Sequence, residues 1–146
     1  MGSHVSVYDK EAREQIESLK VIIDSEAAVS LWERACATKW ENHPVWIHGG
    51  IALGNILITD KKLSGVIDFG GMGVGDPACD LVIAWTYFLG SSRDIFIKEL
   101  SLDDNTWLRA KAWSLWKATF ELCNIQDKDS NKVLLQIEII NSVINN

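Results

Sequence analysis

Positive charge is scarce in this sequence. Fourteen Lys and Arg stand against twenty Asp and Glu, for a formal net charge of −6 and a pI near 5.0. That balance argues against a nucleic-acid surface, which binds phosphates through basic patches. An acidic surface can draw in polycations, but it also serves plain solubility. Cysteine is sparse too. Cys36, Cys79 and Cys123 are odd in number and widely spaced, and no C-x-x-C occurs, so neither a disulfide framework nor a zinc site is indicated. They read as reduced, buried thiols of a cytoplasmic protein. No apolar run reaches membrane-spanning length and the start shows no signal-peptide pattern, so no membrane partner is expected. Repeats, low-complexity runs and long linkers are missing as well. No Ser or Cys sits in a nucleophile-elbow pattern, which removes support for triad hydrolysis.

What is present suits one domain. The chain has 146 residues, 47% of them hydrophobic and 23% charged, enough to bury a real core. Met1-Gly2-Ser3-His4 reads as a cloning remnant, leaving 5–146 as the domain. From Asp9 to Ile23, Ile16, Leu19, Ile22 and Ile23 fall on one helical face. Asp24-Ser25 breaks that pattern and offers an N-cap. A second helix is expected over Ser25–Trp40, burying Ala28, Leu31, Trp32, Ala35 and Cys36. Asn42-His43-Pro44 stops it, since Pro pushes its predecessor out of the α region. His43 reads as a solvent-facing loop residue. Val45–Ile47 is then expected as a short buried strand.

Two alternating runs follow, Ile56–Thr59 and Leu63–Ile67, joined through Asp60-Lys61-Lys62. Paired as a hairpin, they bring Asn55 and Asp68 together at their open end. An amide oxygen and a carboxylate side by side suit Mg²⁺, which completes its shell with waters and phosphate oxygens. Gly70, Gly71, Gly73 and Gly75 crowd the next loop. Their spacing is not G-x-G-x-x-G and no P-loop Lys follows, so a sharp turn needing positive φ is the expected cause. Asp76-Pro77 starts a helix through Leu81, Ala84, Trp85 and Phe88, with Gly90 as its C′ residue. Helices are also expected at Ser91–Leu100, Asp103–Cys123 and Ser130–Asn145. The long middle one should turn Trp107, Leu108, Ala112, Leu115, Trp116 and Thr119 inward. The last carries a stripe of Val133, Ile137, Ile140 and Ile144. Seven Trp could stack sugars or bases, but their helical spacing favours core packing.

Three motifs stand in order: His48-Gly49-Gly50 to Asn55, Ile67-Asp68-Phe69-Gly70, and Gly75-Asp76-Pro77-Ala78-Cys79-Asp80-Leu81. In this order and spacing the chain resembles the C-terminal lobe of the aminoglycoside phosphotransferase family, antibiotic and small-molecule kinases related in fold to protein kinases. The family patterns are H-G-D-x-x-x-x-N, an I-D-F-G-like segment and G-D-P-x-x-D-L. The resemblance implies an α+β, predominantly helical lobe with a small hairpin carrying the metal-ligand motifs. It implies Asn55 and Asp68 as Mg²⁺ ligands, ATP as phosphate donor and a hydroxyl-bearing small molecule as substrate. It also implies His48 and Asp80 as structural supports of the catalytic loop. Taken alone, Asp80 would read equally as a surface acid in a first helical turn.

One departure outweighs the matches. The family's catalytic Asp falls at Gly50, which has no side chain to accept or orient a proton. Nothing before Trp46 reads as a nucleotide-binding sheet, and that region reads as two helices. Losing the base costs roughly 10²–10⁴-fold in rate, whereas losing the ATP-binding lobe removes the substrate complex. The chain alone is therefore expected to be inactive, with weak or absent Mg²⁺ and ATP binding. Three readings stand: a kinase lobe completed from elsewhere, a non-catalytic binding or oligomerisation module, and a helix-rich fold whose motifs are relics. An isolated lobe should also expose an apolar, N-lobe-facing patch and self-associate through it.

Overall fold

A computed structural model describes residues 3–126 and 131–145. Its elements run α1 (Asp9–Ser18), α2 (Ser25–Cys36), β1 (Val45–Ile47), β2 (Ile56–Thr59), β3 (Lys62–Val66) and β4 (Gly73–Gly75). They continue as α3 (Ile83–Thr86), α4 (Ser91–Leu100), α5 (Asp104–Asn124) and α6 (Asn131–Ile144). Among the described residues the chain is mostly helical, with two two-stranded antiparallel sheets, β1–β4 and β2–β3. Met1 and Gly2, and the expected helix start at Ser130, lie outside the described residues.

The core forms around α5. Ala110, Ala112, Trp113, Leu115 and Ala118 are buried there, with Ile16 of α1, Trp32 of α2 and Ile140 of α6 in the same cluster. A helix buried on most sides must satisfy its polar groups internally. Ser114 Oγ donates to Ala110 O at 2.9 Å and Thr119 Oγ1 to Gln15 Oε1 at 2.8 Å. Asp103 caps α5, accepting from Thr106 N at 2.9 Å and Thr106 Oγ1 at 2.6 Å. Asp24 caps α2 through Ala27 N at 3.0 Å. Trp32, Trp85, Trp107 and Trp113 are buried and Trp116 packs against them. Trp40 is half-buried outside that core, and Trp46 is 74% exposed on β1.

Several expectations need correction. Helix α1 stops at Ser18 and loose turns carry the chain on, leaving Ile22 exposed while Leu19 and Ile23 stay buried. Helix α2 ends at Cys36 rather than Trp40, and Cys36 is half-buried. Thr38, just past that end, caps Ala35 O at 2.9 Å and takes a hydrogen bond from Arg109, which favours a stop there. Strand β1 buries Ile47 but exposes Val45 and Trp46. Its partner β4 runs through the glycine-rich stretch read as a loop, with Trp46 opposite Val74.

The helix expected from Pro77 is broken into a 3₁₀ turn at Pro77–Cys79 and the single turn of α3. Its bonds include Asp80 N to Pro77 O and Leu81 N to Ala78 O, each spanning three residues. Burial of Ala78, Cys79, Leu81, Val82, Ile83, Ala84 and Trp85 lets packing override helical regularity there. Among the thiols, Cys79 is buried but Cys123 is exposed. No helix among the described residues is long and apolar enough to cross a membrane.

The hairpin forms with a tighter turn than expected. Asp60 and Lys61 both take positive φ, 51° and 62°, and Thr59 pairs with Lys62. That is the two-residue turn whose twist matches the strands. A register shift after Leu57 leaves Ser64 as the extra residue, and its hydroxyl accepts from Thr59 Oγ1 at 3.1 Å.

Candidate functional site

The stretch from His48 to Asp80 closes on itself through a few polar groups. Strand β1 delivers His48, and the 3₁₀ turn after Pro77 delivers Asp80 beneath it. One Asp80 oxygen accepts from His48 N at 2.6 Å and the other from Gly49 N at 2.8 Å. A carboxylate accepting two buried backbone N–H groups fixes the loop's direction, because charge-assisted bonds are the stronger kind.

The His48 side chain ties the loop to the hairpin exit. Its Nε2 lies 2.8 Å from Ile67 O. A carbonyl only accepts, so Nε2 carries a proton. Nδ1 is the buried side-chain polar atom without a hydrogen-bond partner among the described residues. The ring rests against Phe69, centroids 4.6 Å apart.

Gly49 and Gly71 let two backbones touch. Gly49 has φ +77°, and a Cβ there would fall 2.1 Å from Gly71 O. A Cβ on Gly71 would in turn meet Gly49 O at 3.1 Å. The positive φ expected across the 70–75 glycines is not found. Among described glycines it occurs at Gly49 and Gly90, and near the site a non-glycine residue, Asp68, adopts it at φ 64°, ψ 58°. Close approach, rather than turn handedness, is what requires Gly71. Asp68 carries the left-handed conformation, which Asp tolerates better than most residues.

Gly50 differs from Gly49. A Cβ there would have one neighbour within 4 Å, His48 Nδ1 at 3.8 Å, an ordinary contact. Position 50 is sterically open to a side chain. Its carbonyl accepts from Asn55 Nδ2 at 2.9 Å, and Asn55 O accepts from Ile67 N at 2.9 Å. Asn55 and the residue before Asp68 are thus joined through their backbones. The Asn55 amide nitrogen is used internally, which leaves its oxygen as the atom able to ligate a cation. Asp68 is exposed. These two hard oxygens suit Mg²⁺ by type. No group of three or more His, Cys, Asp or Glu that could hold a metal occurs among the described residues.

Below the loop lies a pair that sequence reading missed. Arg109 Nε donates to Asp76 Oδ2 at 2.6 Å, with both side chains nearly fully buried. Arg109 also reaches Thr38 Oγ1 and Thr106 Oγ1, each at 3.1 Å, and Asp76 caps Ala78 N at 3.0 Å. The pair fastens the end of β4 to α5 and the end of α2. Thirty-three residues separate the partners. The available signal was an Arg set among the buried Ala110, Ala112 and Trp113.

A model of the phosphotransferase enzyme family matches residues 5–113. The chain belongs to that family. The match covers every element from α1 to α4, all four strands, and α5 as far as Trp113. No curated protein and no solved structure matches the chain. The family's description names a reaction class, transfer of a phosphoryl group.

Proposed function

We propose that residues 48–80 are the catalytic-loop half of a small-molecule kinase site, with Gly50 where the proton-accepting Asp belongs. In this reading the chain is the C-terminal lobe of an ATP-dependent phosphotransferase acting on a hydroxyl of an antibiotic-like molecule. Asp80 and His48 hold the loop, and Asn55 and Asp68 present oxygens to Mg²⁺. Bound Mg²⁺ would neutralise charge on the nucleotide phosphates. The observation that carries the reading is the contrast at one loop. His48, Gly49 and the Gly50 carbonyl are fixed by side-chain hydrogen bonds, yet position 50 is an open glycine.

The chain by itself is inactive in this reading. Phosphoryl transfer needs a nucleotide cover and a cation on the phosphates, as well as positioning of the hydroxyl. The described residues before β1 form α1 and α2, not a sheet, so any cover is contributed from outside these residues. The test is transfer of labelled phosphate from Mg-ATP to a panel of hydroxyl-bearing antibiotics. The unmodified chain and Gly50→Asp alone should show none. Gly50→Asp with an N-terminal lobe supplied should transfer, and Asp68→Ala should abolish it again. Robust turnover by the unmodified chain would overturn the reading.

A second reading, a non-catalytic binding or oligomerisation module, has its own observation. Val45, Trp46, Leu53, Leu57, Ile58, Leu63, Ile67, Phe69, Met72 and Val74 are all exposed within thirty residues. A surface of this kind drives association. Self-association through it follows under either reading, and sedimentation showing a monomer at high concentration would contradict it.

A further inference from the structure

The charge on this protein is not evenly spread. Of its few cations, Arg34 of α2 and Lys111 of α5 line one open cavity of about 540 Å³ at the α2–α5 corner. Its other walls are Ala37, Trp107, Leu108, Asn105 and Asp104. Among the described residues no ion pair or hydrogen bond holds the Arg34 guanidinium, in contrast to Arg13 and Arg109. Lys111 is half-buried and engaged by its surroundings, so unpaired amines are not the argument. The make-up of the wall is, two cations to one acid among the described residues. Burial first, then the charges of Arg34 and Arg93, push the Lys111 amine below the ordinary lysine range. Arg93 donates to Ala84 O and Phe88 O, so backbone carbonyls rather than an acid receive it. Among the described residues Asp104 is the one acid on the cavity wall.

We propose that this corner is a binding site for a small organic anion. The ligand would have a phosphate or carboxylate head between Arg34 and Lys111 and an apolar body over Trp107 and Leu108. The volume falls in the range of small-molecule sites, and an apolar wall with a few convergent polar groups is their usual make-up. Arg and Lys are the side chains that recognise such heads, Arg through its planar fork. The residues involved are not those of the 48–80 stretch.

The test titrates the full chain with phenyl phosphate, benzoate, inorganic phosphate and benzyl alcohol, followed by calorimetry and Trp fluorescence. Phenyl phosphate or benzoate should bind, inorganic phosphate more weakly, and the neutral alcohol not at all. Which aromatic anion binds tighter identifies the head group. Arg34→Gln and Lys111→Gln should each weaken binding about tenfold, the loss of one charge-assisted hydrogen bond. Asp104→Asn should tighten it. Because a cation can be lost without unfolding, circular dichroism of each variant should match the parent. Absence of anion binding by the parent, or affinity unmoved by both cation variants, would overturn the proposal.

Discussion

The helical body and the 45–75 stretch are stabilised by different means. Around α5, large side chains disappear into a shared core: Trp32, Ile16, Leu115 and Ile140 are each at most 1% exposed. In β1 to β4, Ile47 is the one large apolar side chain that is fully buried, while Trp46, Leu57, Ile58, Leu63 and Val74 face out. Burial at roughly 25 cal/mol per Å² can account for the body but not for the stretch. What fixes the stretch is polar: the Asp80 carboxylate, the His48 ring, the Asn55 amide and the backbone approach of Gly49 to Gly71. A segment held this way keeps its geometry with little core of its own, and its apolar surface stays exposed.

The comparison breaks most readily at the joint between the two regions. Arg109→Met leaves Asp76 buried without its partner, a loss of about 3–5 kcal/mol. Urea unfolding should show it as a lowered midpoint, and an unchanged midpoint would mean that the pair is not a fastening. Gly49→Ala comes next. Its methyl would overlap Gly71 O and sit at φ +77°, costing about 2–4 kcal/mol. Gly50→Ala, one residue on, should stay within about 0.5 kcal/mol, since position 50 is open. Equal effects at 49 and 50 would refute the distinction between them.

A more modest loss belongs to the body alone. Asp103→Ala removes the cap of α5 and costs about 1 kcal/mol near neutral pH. The hydrogen bond from Thr106 holds the Asp103 carboxyl below the usual carboxylate range. Its stabilisation is therefore complete above the unfolded-state value of about 4 and is lost as pH falls through the lower folded value. Unfolding of parent and variant should converge in strong acid. A gap that persists there would assign the cap no titrating part.

How much of this was legible in the sequence differs between the two regions. The body was, because 3.6-residue spacing marked Leu31, Trp32 and Ala35, and Asp24 and Asp103 announced their helices. The hairpin was too, since period-2 alternation at 56–66 survives even with those residues exposed. Strand β4 was hidden, because Gly-Val-Gly carries no strand propensity and forms only by pairing with β1. The break at Asp80 was hidden for a related reason: local pattern favoured a continuous helix, and packing chose otherwise. Asp76 and Arg109 could not be matched across thirty-three residues without the fold. Family membership was readable from three short motifs and is carried by the match over 5–113. The placing of charge at the α2–α5 corner was not readable, since Arg34, Arg93 and Lys111 share no local pattern.

The central claim is that a carboxylate from the body, Asp80, holds the 48–50 backbone in place independently of any base at position 50. Hydrogen exchange at the His48 and Gly49 amides tests it most directly. In the parent chain both should be protected, and Asp80→Ala should speed their exchange by about tenfold or more, the loss of one charge-assisted hydrogen bond each, with α5 amides unchanged. Gly50→Asp should leave both rates as they are. Protection that survives Asp80→Ala, or that appears only with Gly50→Asp, would contradict the account.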